Sequence, residues 1–92
     1  MIPYAQISAV LLSQARSLVM QWAPNGYFRG AEYTTKNPTR SDNCPGSFKI
    51  NISTGRWADF ATGDRGRDLI SLYAYLNKIS NSDAARELSI RL

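Results

Sequence analysis

Apolar side chains recur every three or four residues in the first part of the chain, between residues 5 and 22. They fall at Ile7, Leu11, Ala15, Leu18 and Trp22. This spacing is that of one buried face of an amphipathic helix. Residues 23–26 (APNG) should end it, because proline disfavours helical geometry at the preceding residue and Asn-Gly favours a turn. The pattern predicts one N-terminal helix over residues 5–22.

The central part of the chain predicts strands. Residues 27–35 are rich in aromatic and β-branched side chains, although Gly30 weakens the pattern. After a loop over residues 36–46, Phe48, Ile50 and Ile52 alternate with polar residues, as in a half-buried strand. Residues 53–55 turn the chain, and residues 56–60 return as the hairpin partner. These segments predict a three-stranded antiparallel meander.

The last third of the chain predicts two helices. Asp68 opens the first helix, and its buried stripe consists of Leu69, Leu72, Tyr73 and Leu76. Ser80 followed by Asp83 resembles a capping box at the start of a second, short helix. The predicted fold class is therefore α+β, in a single domain over residues 1–92: an N-terminal helix, a small three-stranded meander and two C-terminal helices.

Composition favours an acidic partner and argues against catalysis. The chain has 11 Lys+Arg against 7 Asp+Glu, a net charge of +4 and a pI near 9.6. This balance favours binding to nucleic acid. Histidine is absent, Cys44 is the one cysteine, and the carboxylates are scattered singly, so we expect no enzyme activity, no metal and no cofactor. The apolar runs are too short for a membrane span, and we expect a cytoplasmic protein.

Four segments of the chain carry a resemblance to a known family. They read GAEYTTKNPTR, PGSFKIN, TGRWADFATG and RDLISL. Their order resembles the N-terminal zinc-finger-like domain of primases, above all that of the primase–helicases of phages, plasmids and integrated elements. The resemblance extends from Trp22 to Leu92. It implies a zinc-ribbon-like fold and a role in DNA replication.

When the zinc-ligand positions of that family are carried over to this chain, they predict that it binds no zinc. In that family two knuckles of Cys-x-x-Cys or Cys-x-x-His hold one zinc. By position, the first knuckle falls on Asn37 and Arg40, and the second on Asp59 and Thr62. Structural zinc contributes about 10 kcal/mol or more to the folding of a small domain. We expect the apolar core to compensate, together with turns that Asp59 and Thr62 cap through their side chains.

The segment between the hairpin and the next helix, residues 63–68 (GDRGRD), is the most suggestive part of the sequence. Three alternatives remain open for it. The segment could be only a tight strand-to-helix connection with Asp68 as N-cap, the first amides of the helix could hold a phosphate, or the side chains of Arg65 and Arg67 could reach a DNA backbone. The resemblance favours the arginines, because this face of zinc-binding primase domains is associated with template contact.

The predicted nucleic-acid-binding residues form one basic face with an aromatic side chain. They are Lys36, Arg40, Lys49, Arg56, Trp57, Arg65 and Arg67. Strand alternation places Trp57 and Phe60 on opposite faces of the sheet, so only one of them can be exposed for base stacking. Burial of Trp57 beneath the N-terminal helix is the favoured alternative.

Two functions of different classes follow from the sequence. The first is a non-catalytic DNA-binding module of a mobile-element replication protein, which engages single-stranded template or primer–template. Other replication proteins are candidate partners of such a module. The alternative is a small protein-interaction module or inhibitor that docks on a host replication or defence complex without binding DNA.

Overall fold

A computed structural model of the protein describes residues 3–39 and 46–91 and confirms the α+β class. The described elements, in chain order, are helices α1 (Tyr4–Ser13) and α2 (Ala15–Trp22), strands β1 (Tyr27–Arg29), β2 (Glu32–Thr35), β3 (Phe48–Asn51), β4 (Trp57–Asp59) and β5 (Arg65–Gly66), and helices α3 (Leu69–Asn77) and α4 (Asn81–Arg91). Within the described ranges, no helix is long and apolar enough to cross a membrane.

The predicted N-terminal helix is interrupted at Gln14, which separates α1 from α2. Gln14 has φ −117° and ψ 18°, and its N–H donates to the carbonyl of Leu11 at 2.9 Å. The buried stripe continues across this break and comprises Ile7, Leu11, Ala15 and Val19. The prediction of a single helix was therefore wrong at one residue, and the interruption leaves the buried face continuous.

The sheet has five strands in the order β1-β2-β3-β4-β5, and every neighbouring pair is antiparallel. The predicted meander is correct in its connectivity and wrong in its strand number. Gly30 divides the first predicted strand into β1 and β2, because its φ of +60° is a turn conformation. Residues 65–66 add the short strand β5 beside β4.

Strand register defines two faces of the sheet. Directly paired residues share a face, so one row across the sheet consists of Phe28, Tyr33, Ile50, Trp57 and Gly66. We call this the inner face, because α3 packs against it. The neighbouring row consists of Tyr27, Thr34, Lys49, Ala58 and Arg65. It belongs to the opposite, outer face, since successive residues of a strand alternate.

Helix α3 lies at the centre of the core. Its buried residues are Leu69, Ile70, Leu72, Tyr73 and Ala74. Asp68 caps it as predicted, and Lys78 ends it with a left-handed φ of 58°. At the start of α4 the Asp83 N–H donates to Ser80 Oγ at 3.0 Å, which is the first half of the predicted capping box.

Candidate nucleic-acid interface

A groove of about 500 Å³ lies where β4 and β5 meet the segment that leads into α3. Its lining residues are Arg56, Trp57, Ala58, Arg65, Gly66 and Arg67. We call it the arginine groove. No carboxylate of the described residues lines it, and its three arginines are exposed. No side-chain hydrogen bond or ion pair joins their guanidinium groups to another described residue. The groove therefore offers three uncommitted cations to an anionic ligand.

A second, smaller groove of about 160 Å³ adjoins the arginine groove on the outer face. Arg56, Trp57 and Ala58 line both, and the remaining lining residues of the second are Glu32, Lys49, Asn51 and Phe60. The charge of Lys49 is partly engaged here, because its Nζ lies 3.2 Å from Glu32 Oε1. We call this the Phe60 groove. The two grooves together form one continuous strip along β4.

Lys36 and Arg40 are the remaining predicted basic residues. Lys36 is exposed directly after β2, and it lines neither groove. Arg40 lies outside the described residues. The structure therefore brings together Lys49, Arg56, Arg65 and Arg67 from the predicted basic face.

Trp57 is not available for base stacking, and this part of the predicted site needs correction. Its residue is only 5% exposed, and its side chain lies on the inner face. The indole Nε1 donates to Ser71 Oγ at 3.0 Å, and the ring lies 4.7 Å from that of Tyr75, centroid to centroid. The prediction of burial is confirmed, but the covering element is α3 and not the N-terminal helix.

Gly66 makes room for the buried indole. A Cβ atom added at Gly66 would overlap Trp57 Nε1 and Ser71 Oγ. Any side chain at this position would therefore push β5 away from α3 or displace the indole. Phe60, on the opposite face from Trp57, is 72% exposed. Side chains alternate between the faces of a strand, and Trp57 and Phe60 are three residues apart. One of the two is therefore buried and the other exposed.

Side chains cap the N-terminus of α3. The N–H of Ser71 donates to Asp68 Oδ1 at 2.8 Å, and the N–H of Asp68 donates to Ser71 Oγ at 3.4 Å. Tyr4 OH also donates to Asp68 Oδ2 at 3.1 Å. Burial, followed by the negative charge of Asp68, raises the pKa of Tyr4 to about 12. The predicted Asp68 cap is confirmed, and it occupies an amide that a cradled phosphate would need.

Asn37 and Asp59, two of the positions that the resemblance aligns with zinc ligands, contact each other directly. Asn37 Nδ2 donates to Asp59 Oδ2 at 2.9 Å and to Tyr75 OH at 2.8 Å. Both Asn37 and Asp59 are buried. Asp59 Oδ1 also accepts from the Ala61 N–H at 2.9 Å, which confirms the predicted Asx-type turn. We call Asn37, Asp59 and Tyr75 the polar junction.

Thr62 and Tyr75 extend the polar junction to the loop before β5. As predicted, the Thr62 hydroxyl caps a backbone amide, since Oγ1 accepts from the Asp64 N–H at 3.2 Å. Tyr75 OH donates to Asp64 Oδ2 at 2.9 Å. Tyr75 was missed by the sequence analysis, because it falls outside the predicted buried stripe of α3. Among the described residues, no group of three or more His, Cys, Asp or Glu side chains could hold a metal ion.

Comparison with known proteins gives no family assignment. No protein-family model matches the chain, and neither a curated protein nor a solved structure does so. The resemblance to primase domains thus stays a prediction, and any proposal for function rests on the geometry described above.

The two aromatics of β4 and its following turn predict a contrast in stability. Trp57→Ala should lower the free energy of unfolding by about 3–5 kcal/mol, because it empties a buried, hydrogen-bonded position. Phe60→Ala is the matched control and should leave the melting temperature nearly unchanged, because that ring is exposed. Thermal melts of the two variants measure both. Equal stability of the two variants would contradict the assignment of faces.

The polar junction predicts a fold that does not depend on metal. Asn37→Ala should cost about 1–3 kcal/mol of stability, because it removes a donor from the buried Asp59 carboxylate. Asn81→Ala, at an exposed position, is the control. Wild-type protein should melt at the same temperature with and without a chelator. A melt lowered by chelation, or stoichiometric zinc in elemental analysis, would overturn this prediction.

Proposed function

We propose that the chain is a non-catalytic DNA-binding module of a mobile-element replication protein of the primase–helicase type. It engages single-stranded template through the outer face of its zinc-ribbon-like sheet. The single observation that supports this proposal most is the arginine groove, which gathers Arg56, Arg65 and Arg67 with no carboxylate among its described lining residues. The resemblance to primase domains supplies the replication context.

Phosphate is the ligand chemistry that such a groove fits best. A guanidinium offers several N–H donors in a planar fork that matches phosphate oxygens, and it stays charged at any physiological pH. Because these groups have no described protein partner, a bound phosphate would replace solvent and not an existing ion pair. The net charge of +4 adds a favourable long-range field for a polyanion.

We rank the predicted contacts by their place in the grooves and by whether their charge is already paired. Arg56, Arg65 and Arg67 come first, because they line the groove with uncommitted charges. Lys49 contributes less, since part of its charge is balanced by Glu32. Lys36 lies outside both grooves and would contact only a strand that continues beyond them.

Removal of two arginines tests this function. Arg65→Ala together with Arg67→Ala should weaken binding to a single-stranded oligonucleotide. It should also flatten the dependence of log K on log salt by about one to two units, because each phosphate contact on a single strand contributes about −0.7. Fluorescence-anisotropy titrations at several salt concentrations measure both quantities.

A control variant separates groove contacts from net charge. Lys78→Asn together with Arg86→Ala also removes two positive charges, but from the end of α3 and from α4. Asparagine suits position 78 because it tolerates the left-handed conformation. The control should retain the wild-type salt slope. If both double variants weaken binding equally, the groove is not the site. If the wild type binds no nucleic acid at low salt, the protein-interaction alternative is favoured.

A further inference from the structure

Phe60 is the most exposed aromatic side chain among the described residues. It is 72% exposed, compared with 53% for Tyr27 and 41% for Tyr4. The other aromatic side chains of the described chain are at least half-buried, and several pack against one another in the core. Exposure of a whole phenyl ring is unfavourable in water, so a ligand that covers it gains from its burial.

Backbone hydrogen bonds fix the segment that carries the Phe60 ring. The Phe60 N–H donates to the carbonyl of Ser47 at 2.8 Å, which extends the ladder between β3 and β4. On either side, the Asp59 N–H donates to the Asp64 carbonyl at 2.7 Å, and the Gly63 N–H donates to the Asp59 carbonyl at 2.8 Å. The ring is therefore presented from a hydrogen-bonded turn at a fixed place beside β4.

The surroundings of the ring are cationic. The Phe60 groove also contains Lys49 and Arg56, and Glu32, the one carboxylate among its described lining residues, is paired with Lys49. Phe60 lies two residues beyond Ala58, which pairs with Arg65 across the sheet. Arg56 and Ala58 line both the Phe60 groove and the arginine groove, so the two grooves adjoin at these residues. A flat apolar surface thus borders the same strip as the exposed arginines.

We propose that Phe60 is a base-stacking subsite that takes one unpaired nucleobase of a strand whose phosphates contact the arginine groove. This inference rests on the proposed function. A nucleobase presents a flat π-face for stacking while its own phosphate stays on the cations alongside. A purely apolar partner would leave the surrounding charges without counterparts. A base inside a duplex is already stacked on both sides, so the subsite selects unpaired strands.

Substitution of Phe60 tests the subsite, and the probe is a short labelled oligodeoxythymidylate titrated by fluorescence anisotropy. Phe60→Ala should weaken binding by about tenfold or more, given the usual worth of one stacked base. The salt slope should stay at the wild-type value, since no phosphate contact is lost. Phe60→Tyr should bind nearly as well as the wild type. Tyr27→Ala, which removes an exposed aromatic from the distant strand β1, should have little effect.

An abasic oligonucleotide of the same length gives the decisive comparison. It keeps the phosphate chain but offers no base to stack, so Phe60→Ala should bind it as the wild type does. An equal loss on the abasic and the thymidylate strands would overturn the proposal, because Phe60 would then act on the backbone or the fold. Unchanged thymidylate binding would overturn it as well.

The outcomes also separate this inference from the function on which it rests. One result is a flattened salt slope in the variant with Arg65→Ala and Arg67→Ala, while Phe60→Ala binds as the wild type does. That result would support phosphate binding in the arginine groove and would overturn the stacking subsite. If the wild type binds no oligonucleotide at low salt, both fall, and the exposed ring becomes a contact for a protein partner.

Discussion

The polar junction determines how the rest of the sheet is arranged. Asn37 Nδ2 reaches both the Asp59 carboxylate and the Tyr75 hydroxyl, so a single amide connects the loop after β2, the end of β4 and the middle of α3. A buried carboxylate is costly unless donors surround it. Among the described residues, no buried side-chain nitrogen or oxygen lacks a hydrogen-bond partner. The observed register of β4 places the Asp59 carboxylate where Asn37 Nδ2 and the Ala61 N–H donate to it, so the cost of its burial is offset.

That register determines the outer surface as well. With Asp59 inward, the alternation of the strand turns Trp57 inward and leaves Ala58 and Phe60 outward. The small Ala58 then lines both grooves, together with Arg56. Arg65 and Arg67 line the arginine groove beside it. A shift of one residue would bury Phe60 and expose both the indole and a carboxylate. The register of β4 consequently determines both which residues enter the core and which residues form the candidate interface.

The sequence predicts what local patterns encode and misses what depends on tertiary contact. Alternation at Phe48 and Ile50, the Asp59 turn and the Asp68 cap are local features, and all were predictable. Strand β5 is two residues long, too short for any periodicity to appear. The cover of Trp57 by α3 depends on close approach at Gly66, which the sequence shows only as a glycine between arginines. Tyr75 was missed because its hydrogen-bond partners Asn37 and Asp64 lie far from it in the sequence.

The segment Asp64-Arg65-Gly66-Arg67-Asp68 shows how the fold keeps a cationic groove beside acidic neighbours. Each arginine has a carboxylate next to it in sequence, and local ion pairs would be the simplest outcome. Instead Tyr75 OH donates to Asp64, and Tyr4 OH donates to Asp68. Thr62 and Ser71 supply the further donors. The carboxylates of Asp64 and Asp68 thus accept hydrogen bonds from hydroxyl and amide donors, several of which lie on α1 and α3. The guanidinium groups are left on the outer side, and the turn that reverses the chain also presents its positive charge to solvent.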